Sequence, residues 1–178
     1  MGCIGGIAGF VGYLNSNNSY NKADISAIQF DVGGIIGYTD YQYILTNCYN
    51  SGNIFANNGS VGGIVGSLNY KSNSKFSNCH NTGNISSDST STSSYRDHLG
   101  EIHGGSSNSI IVENCTYLTK DSNVNANGAT GVSDMTETMS MSNFVSLMNS
   151  YVTENNSDST KTKLKTWKLE NGNPVFAE

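Results

Sequence analysis

Apolar positions in this chain come in short bursts that return at a nearly fixed distance. Gly5-Gly6-Ile7-Ala8-Gly9, Gly33-Gly34-Ile35-Ile36-Gly37 and Gly62-Gly63-Ile64-Val65-Gly66 open three successive segments, and Gly100-Glu101-Ile102-His103-Gly104 opens a degenerate fourth. The intervals are 28, 29 and 38 residues. A second phrase follows each opening, clearest in Asn47-Cys48-Tyr49-Asn50-Ser51-Gly52-Asn53-Ile54 and Asn78-Cys79-His80-Asn81-Thr82-Gly83-Asn84-Ile85. Self-similarity at this period marks an array in which each unit buries its apolar face against its neighbours. The long last interval contains Ser86 to Ser94, a Ser/Thr/Asp run that reads as a loop grown out of one turn.

Within a unit, apolar residues alternate with small or polar ones in runs such as Tyr43-Ile44-Leu45 and Ile54-Phe55, each bounded by Asn, Ser or Gly. That pattern predicts short β-strands, and a helical period is absent before about Met135. Three strands per unit would make one coil, with successive coils paired in parallel about 4.8 Å apart. The expected fold is therefore all-β: a β-solenoid (parallel β-helix) of about three to four coils. In such a stack, equal positions become vertical columns. Ile7, Ile35, Ile64 and Ile102 form one predicted internal ladder, and Ile25, Ile54 and Ile85 another. Each buried Ile contributes roughly 1.5–3 kcal/mol. Asn18, Asn47, Asn78 and Asn114 form a polar column able to hydrogen-bond from coil to coil.

From Met135 the pattern changes. Met139, Met141, Phe144, Leu147 and Met148 fall on one face of a helix, which predicts a short C-terminal α-helix near 135–150 packed over the open end of the stack. Glu154 to Thr162 reads as a loop, and Trp167 and Phe176 as the end of a capping tail. The expected organisation is repeats over 1–123, in units near 5–32, 33–61, 62–99 and 100–123, followed by a cap over 124–178 with a short terminal strand region.

Composition narrows the setting. Hydrophobic residues make up 36% and charged residues only 13%, so solubility rests on Ser, Thr, Asn and Gly. A net charge of −5 with nine Lys plus Arg leaves no basic patch, so nucleic acid is not an expected partner. The apolar stretch Ile4 to Leu14 is too short to span a membrane and lacks the preceding Lys or Arg of a signal peptide. The start reads as a boundary inside a longer repeat array lying N-terminal to it.

The two phrases, recurring in order over roughly residues 2 to 118, resemble the GLUG-motif repeats of bacterial cell-surface and secreted proteins. Trp167-Lys168-Leu169 followed by Glu170-Asn171-Gly172-Asn173-Pro174-Val175-Phe176 is similar to the ending that closes such arrays. The resemblance implies a β-helical segment of an exported, adhesin-like protein, and it carries no catalytic residues. Unit four departs from the pattern, with Glu101 in a Gly position and no Thr-Gly-Asn phrase after Cys115.

Candidate chemistry is sparse. Cys48, Cys79 and Cys115 share a column headed by Ser19, with Cys3 apart; free buried thiols are expected, and two disulfides are the alternative. No Cys-x-x-Cys or clustered Cys/His spacing suggests zinc, and no cofactor is implied. Arg96, Asp97, His98, Glu101 and His103 form the one dense ionisable group. Its polar-turn reading sits beside a catalytic one, a glycan-cleaving parallel β-helix fragment using Asp97, His98, Glu101 and His103. The favoured expectation is a noncatalytic structural or adhesive module at the cell surface or outside the cell. It would present a flat surface to a host or surface protein or a glycan. Tyr13, Tyr38, Tyr41, Tyr43, Tyr49 and Tyr70 are the candidate contacts, provided that they face outward.

Overall fold

The computed structural model describes residues 2–29, 31–68, 74–87, 99–105, 110–118, 132–135 and 140–178. Among these, strands assemble into five parallel stacks and one antiparallel hairpin. One stack takes Cys3–Gly5, Asp31–Gly33, Val61–Gly62 and Leu99–Gly100. The next takes Ala8–Val11, Ile36–Thr39 and Val65–Leu68, extended by a parallel bridge from Val65 to His103. A third joins Leu14–Asn17, Tyr43–Thr46, Ser74–Ser77 and Ile110–Glu113. The fourth joins Tyr20–Asn21, Tyr49–Asn50, His80–Asn81, Cys115–Leu118 and Val132–Met135, and the fifth joins Ile25–Gln29, Ile54–Asn58 and Ile85–Ser87.

Each of the first three repeats thus contributes one strand to each stack, and it uses five short strands where the alternation predicted three. One of the additional breaks in each repeat has a local cause. Asn18, Asn47, Asn78 and Asn114 all sit at positive φ, between 48° and 57°, a left-handed conformation that Asn tolerates and that ends a strand within one residue. The degenerate fourth repeat nevertheless passes through four of the five stacks.

The predicted register is present. Ile54 lies opposite both Ile25 and Ile85, and the Ile7, Ile35 and Ile64 amides donate to the carbonyls of Ile35, Ile64 and Ile102 in turn. Ile35, Ile64 and Ile102 are buried with Leu45, Phe76, Cys48 and Cys79 in one apolar cluster; Val32, Ile54, Val61 and Ile85 form a second. Ile7 departs from its column at 56% exposed, because it belongs to the first repeat and has a neighbour on one side only. All four cysteines are free thiols.

The C-terminal helix spans Met141–Ser157, later than the sequence pattern suggested. Met135 is in a strand opposite Leu118, and Met139 lies outside the described residues. Ser140 caps the helix by accepting from the Asn143 amide, and Phe144, Val145, Met148 and Val152 are buried. The apolar stripe therefore runs a full turn further, and Glu154 to Ser157 is helical where a loop was expected. The helix also does not cover the end of the stack. It lies along the side, where Phe144 meets Tyr49 and His80 of successive repeats, and Trp167 of the hairpin Trp167–Glu170 and Asn173–Phe176 meets Tyr49. Tyr49 joins Phe144, Met148, Val152, Leu164 and Trp167 in a third apolar cluster.

Close stacking explains the glycine pairs. A Cβ on Gly34 would overlap the Gly63 carbonyl and lie 2.5 Å from the Asn50 amide carbon, both fixed parts of the interior. At Gly12 the nearest atom would be Tyr41 Cδ2 at 3.8 Å, an ordinary contact. Gly34→Ala is expected to lower stability by about 3 kcal/mol in urea denaturation, and Gly12→Ala by under about 1 kcal/mol. Equal losses at the two sites would contradict this packing.

Candidate functional site

Two columns of side-chain amides run from repeat to repeat. In the first, Asn47 Nδ2 donates to Asn18 Oδ1, Asn78 to Asn47 and Asn114 to Asn78, each at 2.7 Å. This is the column the sequence predicted. The second was not foreseen. Asn21 Nδ2 donates to Asn50 Oδ1, Asn50 to Asn81 Oδ1, both at 2.8 Å, and Asn81 to Glu101 Oε2 at 2.9 Å. Asn50 and Asn81 are fully buried. Each amide also closes a local turn, Asn21 donating to the Ala23 carbonyl, Asn50 to Gly52 and Asn81 to Gly83.

Glu101 is thereby explained. In the fourth repeat Tyr117 stands opposite Asn81 where another Asn would continue the column. The last amide then lacks an acceptor, and an unpaired buried N–H costs about 1–3 kcal/mol. Glu101, standing where earlier repeats carry Gly6, Gly34 and Gly63, supplies the oxygen. The two departures of unit four from the repeat compensate each other.

Of the ionisable group that suggested catalysis, Asp97 and His98 lie outside the described residues. Glu101 and His103 are 2% and 4% exposed. His103 stacks on Phe76 at 6.0 Å, and its Nδ1 bonds the Gly105 carbonyl at 2.7 Å; its Nε2 makes no hydrogen bond among the described residues. Burial lowers its pKa, so the ring is a neutral core group. Among the described residues no group of three or more His, Cys, Asp or Glu is placed to hold a metal ion. The thiols of Cys48 and Cys79 are pushed well up, Cys48 first by its hydrogen bond with Cys79 and Cys79 first by burial, which leaves both protonated and unreactive.

The candidate contact tyrosines divide sharply. Tyr43 is buried against Phe76, facing inward from its strand. Tyr49 faces outward but is fully covered by the helix and hairpin, its hydroxyl 2.7 Å from Thr82 Oγ1. Neither offers a surface contact, and Tyr70 lies outside the described residues. Tyr13 and Tyr41, 74% and 40% exposed, stack on each other at 4.9 Å and 15°. Tyr38 stacks with Phe10 at 5.6 Å and 18° and donates its hydroxyl to Asp40 Oδ1 at 2.8 Å. Burial and then that bond push the Tyr38 phenol up to about 12. Phe10 lies opposite Tyr38 in register, so the rings stack along the repeat direction. One face of each ring is turned to its partner, Phe10 is exposed, and the Tyr38 hydroxyl is held by Asp40.

The side of the stack also forms a docking face for the chain's own C-terminus. The positive-φ Asn column has bonding capacity left over after its ladder, and the C-terminal segment uses it. Trp167 Nε1 donates to Asn47 Oδ1 at 2.6 Å, Asn47 Nδ2 to the Lys165 carbonyl, Asn78 Nδ2 to the Met148 carbonyl, and the Lys165 amide to Asn18 Oδ1. Beside this contact lies a groove of about 200 Å³, lined by Asn15, Asn17, Thr46, Asn155, Lys161 and Leu164 among others.

Comparison with protein families, with curated proteins and with solved structures returns no match. No helix among the described residues is long and apolar enough to cross a membrane.

His80 makes the docked face sensitive to acid. It is fully buried beneath Phe144, with Nδ1 2.7 Å from Thr116 Oγ1 and Nε2 2.9 Å from Asn78 Oδ1, and burial lowers its pKa from 6.5 to about 3. As pH falls below 6.5 the unfolded chain takes up the proton first. The stability His80 contributes is therefore complete above pH 6.5 and falls by about 1.4 kcal/mol per pH unit until about pH 3. His103 acts in the same direction. Urea unfolding followed by fluorescence of the single tryptophan, Trp167, is expected to show a midpoint that drops from pH 7 to pH 5. His80→Gln should have a shallower slope, and a wild-type midpoint independent of pH would contradict this assignment.

Proposed function

We propose that this chain is a noncatalytic β-solenoid module, a parallel β-helix of three to four coils clasped by its own C-terminal helix and hairpin. In this reading it belongs to the GLUG-motif repeat region of a bacterial surface or secreted protein and serves as a structural, adhesive element outside the cell. The observation that carries the reading is the register. Repeats separated by 29 and 31 residues meet through matched backbone, Ile and Asn columns, and the polar groups of those columns are satisfied by one another rather than aimed at a ligand.

The exposed contact surface in this reading is the pair of aromatic columns, Phe10 with Tyr38 and Tyr13 with Tyr41. Both partner classes expected from the sequence, protein and glycan, fit this surface. Stacking takes up one face of each ring and leaves the outer faces of Phe10 and Tyr13, the ring edges and the Tyr13 hydroxyl exposed, a mixed apolar and polar surface suited to a protein or a sugar.

The catalytic alternative, a glycan-cleaving fragment built on Asp97, His98, Glu101 and His103, is weakened by the burial of Glu101 and His103 and by the commitment of Glu101 to the amide column. A polysaccharide cannot reach a carboxylate so enclosed as Glu101. The expected outcome of a reducing-sugar assay over plant, animal and bacterial polysaccharides is no release above buffer. Release that disappears in Glu101→Gln would overturn the noncatalytic reading. On a glycan array, saturable binding lost in Tyr13→Ser would make a glycan the partner, and no binding would leave protein as the partner class.

A further inference from the structure

The two ends of the buried amide column are built differently. At one end Glu101 closes it with a carboxylate. At the other, Asn21 donates onward to Asn50, but among the described residues its Oδ1 accepts only the Ala23 amide, at 3.2 Å. The corresponding oxygen of Asn81 accepts both its local Gly83 amide and the Nδ2 of Asn50. The position that a donor from a preceding repeat would take is open at Asn21.

Other columns end in the same way on this face. Ile7 is 56% exposed above a buried Ile35. Phe10 and Tyr13, 59% and 74% exposed, each have one ring face stacked on the next repeat and the opposite face uncovered. The parallel strand edges here have no partner strand among the described residues.

We infer that this face is a directional docking surface for one further repeat of the same kind. The occupant carries an Asn whose Nδ2 donates to Asn21 Oδ1, an Ile over Ile7, and aromatic rings over Phe10 and Tyr13. Continuity with the existing repeat–repeat interface names this partner, because every column it would extend already runs through two to four repeats. A second copy meeting face to face is disfavoured, since it would set one Asn21 acceptor against another and make the strands antiparallel. The inference rests on the stacked-repeat reading and adds to it a polarity: growth by head-to-tail addition at this face, with termination at Glu101.

The test places a copy of residues 31–58 directly ahead of Gly2 in the full chain, where register makes the junction continuous. Hydrogen exchange of amides in residues 3–29 is expected to slow at least tenfold, with the protein remaining monomeric. A copy carrying Asn50→Val, which removes the donor to Asn21, should lose most of that protection. Unchanged exchange in residues 3–29 overturns the inference, as does equal protection from the Asn50→Val copy. A concentration-dependent dimer of the unaltered chain that protects the same amides also overturns it, since a second copy would then be the occupant. Exchange in residues 31–85 of the unaltered chain serves as the separate check: fast exchange there would defeat the stacked-repeat reading itself.

Discussion

The interaction on which this structure depends is the hydrogen bond passed from one side-chain amide to the next across repeats. Apolar columns alone specify register loosely, because an Ile that slips by two residues still finds an apolar neighbour. An amide in the interior does not have that freedom. Asn50 and Asn81 are fully buried, and any slip that separates them leaves a donor and an acceptor unpaired at about 1–3 kcal/mol each. The glycine column follows from the amide column, since Asn50 seats against Gly34 and Asn81 against Gly63 with no room for a Cβ. Glu101 follows as well, as the acceptor that ends the chain of donors.

The column of Asn18, Asn47, Asn78 and Asn114 ties the repeats to the C-terminal segment. Its Asn residues stand at left-handed corners, from which their side chains reach both the neighbouring repeat and the outer surface. The helix and hairpin exploit this by bonding Asn18, Asn47 and Asn78 of three successive repeats. Opening one repeat therefore means breaking its contact to the C-terminal segment as well as to its neighbours. Cooperativity along the stack is built in twice, inside through the buried column and outside through this strap.

The repeat itself was legible in the sequence because its columns are written in identical letters. Ile25, Ile54 and Ile85 recur at matching places and do lie opposite one another, and the Asn18 column could be read the same way. The Asn21–Asn50–Asn81 column was present in the same phrases, yet its ending was hidden. Nothing in Glu101 alone says that it replaces an amide; the signal was the joint change of Gly to Glu and of Asn to Tyr117 in one repeat. Facing was the harder problem. Strands of two to four residues give too little alternation to show that Tyr43 points inward, and only the packed helix shows that outward-facing Tyr49 is covered. The helix start is hidden in the sequence because Met135 and Met139 continue the apolar spacing ahead of the Ser140 cap. Val152, the buried residue that extends the stripe, stands among Ser, Tyr, Thr, Glu and Asn.

The columns also bear on what the molecule can do. The exposed rings are arranged by the same register that orders the interior, Phe10 lying opposite Tyr38 in the paired strands. The central claim is that buried amides meet in sequence across repeats, and side-chain amide NMR tests it most directly. In a sample labelled on Asn, nuclear Overhauser contacts from the Nδ2 protons are predicted to connect Asn21 with Asn50 and Asn50 with Asn81, with solvent exchange of Asn50 and Asn81 slowed at least a hundredfold relative to the exposed Asn173. Amide protons of Asn50 and Asn81 that exchange as fast as those of Asn173, with no contacts between repeats, would contradict the account.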